Sequence, residues 1–303
     1  MIGQLKTEVK NKVLEATISL FSHGPQPLAN TLDHMGDPGL LGPDSVSWRV
    51  IGDATAFVGG IRALLVQTAH PEVVAGVEDH SAYRTDPLGR LSRTAVYVTE
   101  TTYGALPEVE ATVAAVRRAH GPVRGRSERD RAYSAGHPEM AAWVHNVLTD
   151  SFLAAYRAYG PTALTDAEAD RFVEEQTRIG ALLGADPMPS TEADLRAWIV
   201  DHPDLQQTEA LHKAVDFLRD PPLSLPVKAG YKALMNAAVA TIPASLREVI
   251  GVDTFSRASE FGNASVGAMR WALGSSTSWH LALVRSGAEI PADVTFRQPV
   301  RTG

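Results

Sequence analysis

The chain has 303 residues and a formal net charge of −7, and its acidic and basic residues are interspersed. That pattern gives no basic stripe for nucleic acid, and an aliphatic-rich, aromatic-poor composition favours helices over sheets. Cysteine is absent, which excludes disulfides, thiolate zinc sites, iron–sulfur clusters, thiol nucleophiles and thiolate-ligated haem.

From the start, residues 1–44 read as an N-terminal helix followed by a loop. The first 22 residues are charged and amphipathic with no secretory apolar core, which points to a cytosolic protein. Residues 23–47 are rich in Gly and Pro and end in a Ser/Asp cluster suited to capping. Helices are then expected at about 48–69, 71–80, 87–103, 107–120, 138–159, 165–184, 191–201, 205–218, 226–240, 243–250 and 253–271. The pairs His70-Pro71, His137-Pro138 and His202-Pro203 put proline where a first helical turn tolerates it. Thr165 with Glu168, and Thr191 with Asp194, have capping-box spacing. No run of about 18 apolar residues occurs. The most lipid-like stretch, 226–243, is interrupted by Lys228 and Lys232, so no stable membrane insertion is expected. Residues 274–303 read as a loop-like tail, and the whole of 1–303 as a single large all-α domain.

Two helices carry the candidate chemistry. Over 87–103, Arg90, Arg93, Thr94, Tyr97 and Thr101 fall within an arc of about 100°, beside an apolar face of Leu91, Ala95 and Val98. A stripe of guanidinium and hydroxyl donors without acceptors suits an anionic or oxygen-bearing ligand, although a solvated face is the commoner outcome. In the next helix His120 lies about 20° from Val109 around the axis, on the face of Val109, Val113 and Val116, before Gly121-Pro122 stops the helix. An imidazole on an apolar face meets what a haem iron requires; a satisfied core histidine is the alternative. His145 is a second candidate ligand, roughly 130° from the centre of its helix's core stripe, and faces another neighbour or solvent.

These residues belong to an ordered set: Trp48-Arg49-Val50, Gly60 through His70-Pro71, Gly76-Val77-Glu78-Asp79-His80-Ser81, Gly89-Arg90-Leu91-Ser92-Arg93-Thr94, His120 through Arg124-Gly125, and Pro138 through Trp143-Val144-His145. The set resembles, over about 45–250, the DUF2236 family that unites bacterial latex-clearing rubber oxygenases with fungal ER-bound oxygenases of mycophenolic acid biosynthesis. The resemblance implies an all-helical fold with a globin-like core, haem b as cofactor and dioxygen as co-substrate. It implies His120 as proximal iron ligand, four residues before Arg124. It also implies Arg90, Arg93 and Thr94 on the distal side, where the rubber oxygenases have Arg-x-x-Lys-Thr. Arginine stays protonated and is a poor iron ligand, so Arg93 in place of lysine leaves the sixth position open. Arg124 is alternatively a partner for a haem propionate. A distal carboxylate base is sought at Glu72 or Glu78.

The implied activity is cleavage or hydroxylation of a small apolar substrate, such as one bearing a prenyl alkene. Two alternatives are a non-catalytic haem or apolar-ligand carrier, and a non-haem metal enzyme. The latter has one Glu-x-x-His, Glu209 to His212, where a di-iron bundle needs two. Zinc-hydrolase, nucleophile-elbow, P-loop and dinucleotide fingerprints are absent from the sequence.

Overall fold

The computed structural model describes residues 2–292. The helices are α1 (Ile2–Phe21), α2 (Val46–Gly52), α3 (Thr55–Gln67), α4 (Pro71–His80), α5 (Pro87–Tyr103), α6 (Leu106–His120) and α7 (Pro138–Tyr159). They continue as α8 (Asp166–Leu182), α9 (Glu192–Val200), α10 (Glu209–Arg219), α11 (Leu225–Thr241), α12 (Ala244–Ile250), α13 (Ala258–Leu273) and α14 (Thr277–Ser286). A hairpin of β1 (Arg124–Arg126) and β2 (Ala132–Ser134) pairs antiparallel with Gly125 opposite Tyr133. The fold is all-α apart from that hairpin. Among the described residues no single helix is long and apolar enough to cross a membrane.

The chain packs as two compact units. Among the described residues, the first comprises residues 2–54, 82–114 and 266–292, and the second residues 55–81 and 115–265. The expected helix at 48–69 is broken where the units divide. Ser45 caps α2 by accepting from Trp48 N–H, and Asp53 leaves α2 in extended backbone with its carboxylate 2.6 Å from Arg270 Nε.

In the first unit, Leu28, Trp48, Tyr103, Ala282 and Leu283 form one buried cluster. Its polar tips are satisfied: Trp48 Nε1 donates to the Thr102 carbonyl at 2.7 Å and Tyr103 Oη to the Trp48 carbonyl at 2.8 Å. This cluster explains why part of the expected loop-like tail is helical. Ser276 caps α14, Gly287 ends it in the left-handed region at φ +69°, and Leu283 fills the core between them. Arg285, wholly buried, donates to Thr31 Oγ1 and to the Asp37 carbonyl. Residues 293–303 of the expected tail lie outside the described residues.

In the second unit α3 and α7 run antiparallel in close contact: Gln67 Nε2 donates to the Val144 carbonyl, and Arg62 pairs with Asp150 and Ser151. Gly59 permits the approach, because a Cβ there would stand 2.6 Å from Phe152 Cδ1 and 2.9 Å from its Cα. Gly59→Ala is therefore expected to cost about 1–3 kcal/mol through overpacking, despite alanine's better helix propensity. A thermal melt at or above the wild-type midpoint would refute that reading.

Several helix limits follow their expected punctuation: Pro71, Pro87 and Pro138 each open a helix, and Thr165 forms the capping box with Glu168. The third His-Pro pair does not. Pro203 sits in a turn, and α10 starts later than expected because Thr208 accepts from Leu211 N–H. Glu128, from the hairpin loop, also accepts the α10 amides of Glu209 and Ala210, placing a carboxylate at the helix's positive end.

Candidate functional site

The donor stripe of α5 belongs to the first unit. Asp86 caps the helix by accepting from Gly89 N–H, and its carboxylate also pairs with Arg93 at 3.2 Å, both side chains being largely exposed. The hydroxyls of Thr94 and Thr101 donate back to the Arg90 and Tyr97 carbonyls one turn earlier. Arg90 is half-buried and its guanidinium lies 5.7 Å from the Tyr83 ring centroid. Burial lowers the Arg90 pKa and raises that of Tyr97, although both remain partly accessible to solvent. The stripe is thus differentiated: Arg93 is engaged at the helix start, while Arg90 and Tyr97 are the desolvated members.

His120 belongs to the second unit, at the last residue of α6. Burial along its stripe falls from Val109 and Val113, both buried, through half-buried Val116 to an exposed His120. Its ring nitrogens make no hydrogen bond among the described residues. The surrounding protein nevertheless lowers its pKa by desolvation, so the imidazole is neutral near pH 7 with a lone pair to offer. A neutral, accessible imidazole is a nitrogen donor able to hold a metal. Arg124 follows on β1, exposed, donating to the Gly121 carbonyl at 3.2 Å while its own carbonyl meets His80 Nε2.

His145 lies in a different setting. It is buried on α7, Nε2 donates to the Gln176 carbonyl of α8 at 2.8 Å, and Nδ1 has no hydrogen-bond partner among the described residues. Gly180 leaves room for the ring, since a Cβ there would come within 2.7 Å of His145 Cδ2. The different neighbour expected from helical geometry is therefore α8.

Burial depresses the His145 pKa to about 4. Because the folded value lies below the ordinary 6.5, acid protonates the unfolded chain first, and stability falls as pH drops from about 6.5 towards 4. Between about pH 7.5 and 5 this histidine should account for a loss of about 2 kcal/mol. His145→Gln should flatten that part of the pH dependence in thermal melts. An unaltered slope would remove His145 as its source.

Beside His145, α7 carries a half-buried apolar stripe, Ala141, Val144 and Leu148, and α3 carries Phe57, Gly60 and Leu64 at the same helical spacing. The bond from Gln67 to the Val144 carbonyl sets the two helices side by side. A Cβ built on Gly60 meets open space. An otherwise buried helix pair thus keeps two half-buried apolar stripes side by side.

The same unit contains a polar cluster that helical periodicity does not reveal. His70, capping position of α4, and His202, in the turn after α9, have ring centroids 5.2 Å apart. Trp143 and Trp198 pack edge-on against His202, each at 4.9 Å. Glu72 is buried, accepts from Ser127 and Arg129 at 2.7 Å, and is bridged by Arg129 to Asp204. Burial tends to raise the Glu72 pKa, but the Arg129 and Ser127 bonds outweigh it, and the net shift is downward. Glu72 is therefore an ionised, fully engaged carboxylate, while Glu78 lies half-buried on the same helix. His70 is pushed down to about 4, by burial first and by His202 second. The nearest hints in the sequence were the His-Pro pairs, whose prolines have a sufficient local explanation.

Compared with known protein families, residues 48–273 match the family described as ER-bound oxygenase mpaB/B′/Rubber oxygenase, catalytic domain. No curated protein and no solved structure matches the chain significantly.

Proposed function

Because the chain belongs to this oxygenase family and carries its catalytic domain over most of its length, we propose that it is a haem b-dependent oxygenase using dioxygen on a small apolar substrate. The observation that carries the cofactor assignment is His120, a neutral, unpartnered imidazole at the open end of an otherwise apolar helical stripe. Haem b, when bound, supplies the redox-active iron for oxygen chemistry on an electron-rich group such as an alkene.

The chain's own residues bind and orient. His120 would supply the imidazole nitrogen that holds the iron, and Arg124, exposed just beyond α6, would be a cation for the haem's acidic groups. The half-buried apolar side chains of Phe57, Leu64, Val144 and Leu148, beside Gly60, would hold apolar surface. On α5, taken by itself, the half-buried Arg90 guanidinium would be the donor for negative charge on oxygen, the Thr94 hydroxyl donates to the Arg90 carbonyl, and Arg93 sits at the helix start with Asp86. With arginine at 93, no lysine amine competes for iron at that position.

The test is an absorption spectrum of the full chain with haem, oxidised and then reduced, with a pyridine haemochrome assay and iron content. One haem per chain with a Soret band is expected, and oxygen uptake with prenyl- or alkene-bearing substrates. Two irons without a Soret band, or failure to bind haem, would overturn the cofactor reading. Stoichiometric haem that only autoxidises across a broad substrate panel would instead establish a carrier.

A further inference from the structure

We propose that His70, His202 and Asp204 form a binding site for one divalent first-row transition-metal ion of the zinc or ferrous type. The proposal is independent of the haem reading. One ligand atom from each residue lies within 4.8 Å of the other two, a spacing that a single ion can bridge with little side-chain movement. Two imidazoles and one carboxylate suit zinc or ferrous iron, whereas magnesium and calcium favour all-oxygen sets.

Independent support comes from His70. Its ring is 1% exposed, yet Nδ1 has no hydrogen-bond partner among the described residues. Buried polar groups ordinarily have partners, and the unpartnered Nδ1 faces the Glu72 carboxylate, so an ion on the ring's other nitrogen would leave Nδ1 as the protonated atom that Glu72 can accept from. The outer groups are those that orient metal-bound histidine. Glu72 Oε2 stands 3.5 Å from His70 Nδ1, too far for a hydrogen bond as it lies. An ion on Nε2 fixes the proton on Nδ1, and a small ring movement then closes a carboxylate–histidine–metal arrangement. Glu72 is itself held by Ser127 and Arg129. Trp143 and Trp198 fix the His202 ring from two sides.

Two features oppose binding and both are compatible with it. Arg129 and Arg131 place positive charge beside Asp204, but both donate to Oδ1, and Oδ2 makes no hydrogen bond among the described residues. The two guanidiniums are balanced by the Glu72 and Asp204 carboxylates, so the ion enters a neutral surrounding rather than a cationic one. His202 Nδ1 receives the Asp204 amide at 3.3 Å, a long contact that yields on ligation. The ion would tie the first turn of α4 to the turn after α9, two segments far apart in the chain. Three protein ligands leave a fourth position to water or another small ligand.

The experiment uses the full chain, chelator-treated and then titrated with cobalt(II) chloride, with zinc chloride as competitor. One equivalent of cobalt is expected, with visible d–d absorption that zinc abolishes. His202→Gln and Asp204→Asn should each weaken binding by more than about tenfold. His212→Gln, on an exposed histidine of α10, should leave it unchanged. X-ray absorption of the zinc-loaded wild-type chain should report two imidazole nitrogens, a readout that needs no variant to fold. Absence of stoichiometric cobalt binding, unchanged affinity in folded His202→Gln and Asp204→Asn, or a zinc shell with fewer than two imidazoles would each overturn the site. None of these outcomes depends on whether haem binds.

Discussion

Replacing His120 with alanine is expected to abolish the Soret band of the haem-loaded chain and its oxygen uptake while leaving the fold intact. The separation is possible because of where the residue sits. His120 is exposed at the end of α6, and its ring has no hydrogen bond among the described residues, so truncation opens no cavity and strands no partner. Surface changes of that kind usually stay within about 0.5 kcal/mol. An imidazole that is the iron's protein ligand, by contrast, has no nearby substitute on α6, whose neighbouring Arg117 and Arg118 carry guanidiniums, poor iron ligands. Arg124→Ala is the graded comparison: a lost propionate partner weakens haem retention and spares the band. A full Soret band in His120→Ala would sink the ligand assignment. His145→Ala with the band lost and the helices retained would transfer it to α7.

The largest stability effect is expected at the ion pair of Arg62 and Asp150, which joins α3 to α7. Arg62 Nη1 is 2.7 Å from Asp150 Oδ2 and from Ser151 Oγ, and the side chains are 1% and 4% exposed. Arg62→Met fills a similar volume but leaves the carboxylate buried without its cation. Removing one partner of such a pair costs about 3–5 kcal/mol, a large share of a domain's net stability. Chemical denaturation should show that loss, and Arg62→Met with Asp150→Leu should recover most of it, because an apolar pair needs no charge compensation. If the single substitution costs under about 1 kcal/mol, water or rearrangement is compensating the carboxylate. Such a result would remove the pair as the clamp between the two helices.

Helix limits were legible wherever a local device enforced them. Asp86 and Pro87 open α5, Pro138 opens α7, and the Thr165 box opens α8, because each satisfies backbone groups within one turn. The composition of 274–303 concealed α14, whose helical state rests on burial of Leu283 and Arg285 against residues far away in sequence. The break after Gly52 falls at Gly52-Asp53, a turn signal within an otherwise helical pattern, and there Asp53 is held by Arg270. Three-residue strands are too short for alternation to show.

At the candidate site, the ordered motifs led to α5 and α6, and helical geometry grouped their faces. Periodicity did not reveal that Arg93 meets Asp86, that burial declines towards His120, or that His70 meets His202 across the second unit. Each depends on which side chains tertiary packing brings together.

The first unit is discontinuous in the chain, with a consequence for biosynthesis. Its apolar centre needs Trp48, Tyr103 and Leu283 at once. A ribosome-bound chain that has exposed only the first two segments cannot complete this core. Trp48 must stay in a partly solvated state until residues 277–286 emerge, whereas α3, α4 and α7 of the other unit already have one another. The unit that contains the beginning of the chain is thus the later one to become resistant to proteases during synthesis.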